Sequence, residues 1–315
     1  MKLPAIVDSL QALDLPPREL HLAIGMFDGV HLGHQAVIES AIHSARRSGA
    51  ISGALTFWPH PSRILRPDKP TTLIMPPGQK AGNLQSLGID IVIQIEFTLE
   101  FSRTNAEEFV SMLKKSLPKL TAIYVGENFR FGRKRAGDIS MLIAEAKKLN
   151  IHVFSIQRIK HNGEDISSTR IRADIANGRI AEANALLGYN YFCEGIVKPG
   201  KGLGQKIGYP TLNLTWSPEL QPLYGVYAVQ ITVPGEKETM PGVANYGLRP
   251  TVGADSEPVL EIHLLAVSPP EFKTGDTLRV EWLSFLRPEK KFPSIDDLKA
   301  QIALDKEQAT RQFAP

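Results

Sequence analysis

The chain changes its repeat once. From about Leu20 to Gly188, short apolar runs alternate with segments patterned at helical spacing: LHLAIG, then GHQAVIESAIHSARRSGA and ISGALTF, later IVIQI, TAIYVGEN and IHVFSIQ. This is the pattern of a mostly parallel sheet covered by helices. After Cys193 the texture turns to short β-rich segments broken by Gly and Pro, as in YPTLNL, GVYAVQITV, VLEIHLLAV and TLRVEWLSFL. That texture predicts an all-β barrel or sandwich. At 315 residues the chain is long for one core, so two domains are expected, α/β over 1–186 and β over 187–315.

Local signals fill in this plan. The helix after GMFDGVHLGH places Val37, Ile38, Ala41, Ile42 and Ala45 on one face, and Arg46, Arg47 and Gly49 mark its end. Thr104 with Glu107 has capping-box spacing ahead of Phe109 and Met112. Near the C-terminus, Ser294 and Asp297 stand at the same spacing, and Leu298 aligns with Ile302, which predicts a terminal helix packed on the barrel.

Composition narrows the function classes. A hydrophobic content of 43% with 22% charged residues is that of an ordinary globular chain, and no apolar run reaches the length of a membrane span. The formal charge of +3 falls short of a nucleic-acid-binding stripe. The single cysteine, Cys193, excludes an intrachain disulfide and a cysteine-rich zinc site. The N-terminal stretch lacks the layout of a secretory signal, so a cytoplasmic location is expected, with neither nucleic acid nor membrane as partner.

The stretch GMFDGVHLGH, Gly25 to His34, follows a predicted strand and opens a helix. That corner is where open α/β sheets hold phosphates. Gly25 and Gly29 permit close backbone approach, and His31 and His34 lie near the positive helix end, where both rings can donate hydrogen bonds to a phosphate. The plainer alternative is that one or both histidines only cap the helix. A zinc site lacks a third ligand at a recognisable spacing. Further on, Ser167 or Ser168 in ISSTRIR can cap a helix whose amides, with Arg172, would meet phosphate charge. In GKGLGQKIGYPTLNL, Thr211 and Asn213 are two apart on a predicted strand and share a face. In LEIHLL, Leu260, Ile262 and Leu264 share one face, and Glu261 and His263 the other.

Taken in order, G-x-F-D-G-x-H-x-G-H, TFWPHP, VGENFRFGRKRAGD, ISSTRIR, the GKGLGQKIGYPTLNL loop, GVYAV, GVANYGLRPTVG, LEIHLL and FLRPEKKF resemble the bacterial bifunctional riboflavin kinase/FMN adenylyltransferases over nearly the full chain. The resemblance implies a Rossmann-like nucleotidyltransferase domain followed by a riboflavin-kinase-type β-barrel with a terminal helix. It implies ATP-dependent phosphorylation of riboflavin to FMN, then adenylylation of FMN to FAD with release of pyrophosphate. Mg2+ would accompany the ATP phosphates. His31, His34 and Arg172 would serve adenylyl transfer, with Gly25, Phe27, Asp28, Gly33, Ser168 and Thr169 binding nucleotide. In the barrel, Gly202, Gly204, Lys206, Thr211 and Asn213 would bind nucleotide, Thr211 and Asn213 would hold the metal, and Glu261 would be the general base. His60, Asn128 and Arg287 would contact flavin. The chain departs from the family pattern at Leu203, Gln205, Leu212 and Thr274. These departures leave open an adenylyltransferase with an impaired kinase barrel, or a non-catalytic flavin or nucleotide sensor.

Overall fold

The computed structural model describes residues 6–7, 16–200, 204, 208–236, 238–248, 258–266 and 270–313. Of the site residues expected above, Gly202 and Lys206 lie outside the described residues, as do Leu203 and Gln205.

The chain divides into two compact units, Met1–Ser168 and Thr169–Pro315. In the first, strands β1 (Ile6–Val7), β2 (Leu20–Ile24), β3 (Ile51–Trp58), β4 (Ile91–Glu96), β5 (Leu120–Gly126) and β6 (His152–Ile156) form one sheet in the order β1-β4-β3-β2-β5-β6. Every pairing in it is parallel. Helices α1 (Leu32–Ser48), α2 (Pro61–Leu65), α3 (Pro77–Ser86), α4 (Ala106–Ser116) and α5 (Ile139–Lys148) connect the strands, and a small hairpin of β7 (Lys160–His161) and β8 (Glu164–Asp165) follows. The chain runs outward from β2 through β3 to β4, then crosses to β5 and β6 on the other side. Ligands of open α/β sheets bind outside the carboxyl ends of the strands at such a reversal.

Helix α1 buries Val37, Ile38, Ala41, Ile42 and Ala45, the face its spacing predicts, and ends at Gly49 with φ 72°. The expected capping box at Thr104 does not form. Its amide donates to Phe101 in a preceding 3-10 turn and its carbonyl accepts from the Arg133 amide. The chain therefore enters α4 one residue later, at Asn105, with no side-chain cap.

The second unit begins with α6 (Ser168–Ala176, whose first residue closes the first unit) and α7 (Ile180–Leu187). Strands β9 (Phe192–Lys198), β10 (Leu212–Thr215), β11 (Gly225–Thr232), β12 (Thr239–Leu248), β13 (Pro258–Leu264) and β14 (Thr277–Arg287) close into an antiparallel barrel, ordered β10-β13-β12-β11-β14-β9. Tyr227, Tyr246 and Trp282 are fully buried and pack edge to face, contributing bulky apolar area to the interior. The terminal helix α8 (Ile295–Thr310) starts at Ser294, whose side chain accepts from the Asp297 amide at 3.1 Å, the cap its spacing predicts.

Helical period persists to Leu187, but packing divides the chain earlier. Asn184 of α7 donates to the Trp282 carbonyl at 2.8 Å and accepts from the Tyr191 amide at 2.7 Å, fixing the helix to β14 and to the start of β9. Period and packing thus mark different points.

Candidate active sites

Three loops of the first unit leave the carboxyl ends of the neighbouring strands β3, β2 and β5. The turn after β2 is tightly determined. Phe27, Gly29 and Val30 have φ of 51°, 81° and 37°, a region that L side chains enter only when their surroundings hold them there. A Cβ at Gly25 would lie 2.7 Å from the buried Phe27 ring, so glycine is required for that approach.

His31 is the N-cap of α1, its Nδ1 accepting from the His34 amide at 3.3 Å. An accepting Nδ1 puts the proton of the neutral ring on Nε2, which becomes the donor. The His31 and His34 rings stack with centroids 3.6 Å apart and 17° between planes, and Phe27 meets His34 edge-on at 5.5 Å. Capping and anion binding are therefore compatible in His31, because they use different nitrogens. A Cβ at Gly33 would press on the His31 ring.

Asp28 is buried, and its carboxylate accepts from the Ile74 amide at 3.1 and 3.2 Å. Its carbonyl accepts from the Ser168 hydroxyl at 2.9 Å, which ties the ISST segment to the turn. Ser168 thus bridges to the motif, and Thr169 and Arg172 follow it on α6.

A narrow crevice beside the turn is lined by Met26, Asp28, Trp58, His60 and Lys80. His60 caps α2, with Nδ1 accepting from the Ser62 amide at 3.2 Å. Lys80, only 6% exposed, donates to Thr56 Oγ1 at 2.9 Å and to the Met26 carbonyl at 3.3 Å. Thr56 Oγ1 itself donates to Met26 at 3.0 Å, so the pair pins the turn to β3. Burial lowers the Lys80 pKa to about 8, against the opposing pull of Asp28. Beyond β5, Asn128 lines an open cleft of about 360 Å³ with Glu127, Phe129, Arg130, Arg135 and Asp138.

The barrel holds a separate pocket of about 370 Å³. Val226, Val243, Phe292, Leu298 and Ile302 give it apolar walls, and Thr211, Asn245, Glu261, His263 and Arg287 add polar groups. Its size and mixed lining suit a small organic ligand. Strand register arranges the polar groups: Asn213 of β10 and Asn245 of β12 both stand opposite Glu261 of β13. Leu212 stands opposite Ile262 instead, on the other face from Glu261. Gly204 approaches the Thr211 side chain closely. Thr274 is exposed in the turn before β14 and does not line the pocket.

Arg287 lines the pocket, but its guanidinium is already engaged. Nε and Nη2 bond the Asp305 carboxylate of α8 at 2.9 and 2.7 Å, and Nη1 donates to the Pro288 carbonyl at 3.1 Å. Asp305 is buried and also accepts from Gln301 at 3.0 Å. The pair locks α8 onto the barrel as a wall of the pocket.

Sequence reasoning missed Lys80 and Asp305. Their signal was a charge in an apolar helical stripe, Lys80 with Ala81 and Leu84, and Asp305 with Leu298, Ile302 and Ala309.

Residues 15–170 match a family model described as FAD synthetase, and residues 187–313 match one described as riboflavin kinase. A relative from Escherichia coli (strain K12), named bifunctional riboflavin kinase/FMN adenylyltransferase, is 35% identical over 98% of this chain and 97% of its own. Relatives of the same name from Listeria monocytogenes and Bacillus subtilis are 36% and 33% identical, each over 93% of this chain and over 91% and 92% of their own. A solved structure from Streptococcus pneumoniae, named as a macrolide-efflux protein, superposes with a TM-score of 0.85 at 27% identity, over 97% of this chain and 98% of the other.

Proposed function

The chain belongs to the bifunctional riboflavin kinase/FMN adenylyltransferase family, and from that premise we propose how its two units divide the work. The barrel phosphorylates riboflavin with ATP, and the parallel-sheet unit transfers the adenylyl group of a second ATP to the FMN so formed. The observation that carries this reading is that one chain builds two sites of suitable chemistry. One is an imidazole pair at a helix N-terminus beside a strained turn; the other is a barrel pocket in which Glu261 stands opposite two amides.

In the barrel, the apolar walls suit the flat flavin rings, and Glu261 receives the proton of the riboflavin 5′-hydroxyl as its oxygen attacks the γ-phosphorus and ADP departs. Thr211, Asn213 and Glu261 present hydroxyl, amide and carboxylate oxygens, a donor set that fits Mg2+. Among the described residues no group of three or more His, Cys, Asp or Glu side chains could hold a metal ion, so Thr211 and Asn213 are the proposed protein ligands. Bound there with ATP, the ion would neutralise phosphate charge. Gly202, Gly204 and Lys206 complete the proposed nucleotide loop.

In the first unit, an FMN phosphate oxygen attacks the α-phosphorus of ATP and pyrophosphate leaves. The protein's part is positioning two anions and stabilising developing charge. Nε2 of His31, with His34, supplies donors at the positive end of α1, and Ser168 contributes from the second nucleotide segment; Thr169 and Arg172, at the start of the second unit, are proposed for the same step from the family pattern alone. His60 and Asn128 are the proposed flavin contacts. The proposed domain extents are 1–186 and 187–315. Use of ATP in both steps supports a cytoplasmic location.

The placement of Leu212 on the face of Ile262 removes one motive for an impaired kinase, since the side chain does not line the pocket. The efflux activity in the name of the Streptococcus pneumoniae structure is not carried to this chain; what the two share is a fold.

The test is a time course of the purified protein with riboflavin, ATP and Mg2+, resolving riboflavin, FMN and FAD. FMN followed by FAD is expected. Unchanged riboflavin would remove the kinase assignment, and FMN accumulating without FAD would remove the adenylyltransferase one.

A further inference from the structure

His263 follows Glu261 by two residues on β13 and shares its face. Its Nδ1 lies 2.8 Å from the Pro210 carbonyl oxygen. A carbonyl only accepts, so the ring donates through Nδ1–H and the neutral ring carries its lone pair on Nε2. Nε2 is buried without a hydrogen-bond partner. Among the described residues the ring therefore makes one polar contact, and that contact is with the chain just ahead of Thr211.

The surroundings reinforce this grip. The Tyr209 ring meets His263 edge-on, with centroids 5.5 Å apart and 77° between planes, and Lys306 Nζ of α8 sits 5.5 Å from the same tyrosine ring. The Tyr209 amide donates to the Gly204 carbonyl at 2.8 Å, closing the base of the glycine-rich loop. The β10–β13 ladder begins with Leu212 paired to Ile262, so Thr211 immediately precedes the paired stretch and His263 immediately follows its partner. Gly204, Tyr209, Thr211, Glu261 and His263 all line the barrel pocket.

We propose that His263 is a positioning residue for phosphoryl transfer: by holding the Pro210 carbonyl, it fixes the stem of the glycine-rich loop and sets the Thr211 hydroxyl relative to Glu261. This rests on the kinase reading of the barrel. Pro210 has no amide hydrogen, so its carbonyl is the one main-chain polar group through which β13 can anchor this residue. Imidazole supplies a donor close to its own backbone on a side chain with only two rotatable bonds, which places the carbonyl with little conformational freedom.

The experiment uses the full-length protein with His263→Asn, His263→Gln and His263→Leu. The asparagine amide nitrogen reproduces Nδ1, the glutamine amide nitrogen reproduces Nε2, and leucine keeps bulk alone. Riboflavin phosphorylation is measured with kcat and KM for ATP separated, alongside riboflavin binding and FAD formation from supplied FMN. The Gln and Leu variants should lose about tenfold in kcat/KM for ATP, the worth of one neutral hydrogen bond. The Asn variant should stay within about threefold of the parent. FAD formation from supplied FMN should be unchanged throughout, and riboflavin binding checks that the pocket is intact.

Parent-like kinase activity in the Leu variant, or an Asn variant as impaired as Leu, overturns the inference while leaving the kinase reading intact. If the Leu variant loses riboflavin binding through misfolding, the Asn and Gln pair decides, since they differ in which ring nitrogen they imitate. A parent protein that makes no FMN overturns the kinase reading and this inference with it.

Discussion

Asn213 and Glu261 stand directly opposite each other on β10 and β13, and Asn245 faces the same carboxylate from β12. Side chains opposite one another on antiparallel strands share a face, so Glu261 sits between two amides in one row across the barrel wall. Asn245 also donates to Glu289 Oε1 at 3.3 Å, which restrains it from the far side.

Replacing Glu261 with Gln keeps the side chain's size and its place between the amides while removing its capacity to take a proton. FMN formation should fall by roughly 10²–10⁴-fold, the usual worth of a positioned general base. Riboflavin binding and FAD formation from supplied FMN should persist. Equal loss of both activities would mean that Glu261 serves the fold, or that the two units are assigned the wrong way round.

The proposed function gives His31 a second duty besides its observed capping of α1, on a different nitrogen, and the two can be separated. Asparagine is among the best N-cap residues, so His31→Asn should hold the start of α1 and shift the thermal midpoint little. It cannot offer the Nε2–H donor, so FAD formation from FMN should drop about 10²-fold, as for loss of one preorganised donor. His31→Ala should lose activity similarly and also about 1 kcal/mol of stability. Equal stabilities of the two variants in urea unfolding would refute the capping role.

How much of this was legible depended on whether a residue's partner lay nearby in sequence. The buried face of α1 and the opposed faces of Glu261 and Ile262 follow from period alone, because a helix or strand dictates them locally. The Thr104 capping pattern was present but failed, since a 3-10 turn and the Arg133 amide had already engaged Thr104. Lys80 and Asp305 read as interruptions of apolar stripes, because the groups that satisfy them, Thr56 and Arg287, come from distant strands. The capping of α1 by His31 depended on which ring nitrogen meets the helix, which spacing does not specify.

Arg287 distinguishes a wall from a ligand contact. Arg287→Ala would strand Asp305, whose side chain is only 4% exposed. Removing one partner of a buried ion pair typically costs about 3–5 kcal/mol, whereas replacing both by apolar groups costs far less. Arg287→Ala should therefore destabilise the barrel by about 3 kcal/mol in denaturant unfolding, and Arg287→Met with Asp305→Leu should recover much of that loss. A single variant of unchanged stability but raised KM for riboflavin would instead assign Arg287 to flavin.

Lys80 predicts an unusual pH dependence. Burial lowers its pKa from 10.5 to about 8 in the folded chain. Between those values the unfolded chain holds the proton and the folded chain has released it. The unfolded state thus binds more protons there, and stability attributable to this group rises with pH. Below about pH 8 both states are protonated, and the full cost of burying the charge is present. Methionine at this position has nothing to titrate. The stability of the parent relative to Lys80→Met should therefore improve from pH 7.5 to pH 10.5, by up to about 3 kcal/mol. Urea unfolding of both proteins across that range measures it, with shared titrations cancelling in the difference. A difference that stays flat would show that the ammonium is solvated, and that the hold of Lys80 on Thr56 and Met26 is weaker than its 2.9 and 3.3 Å contacts imply.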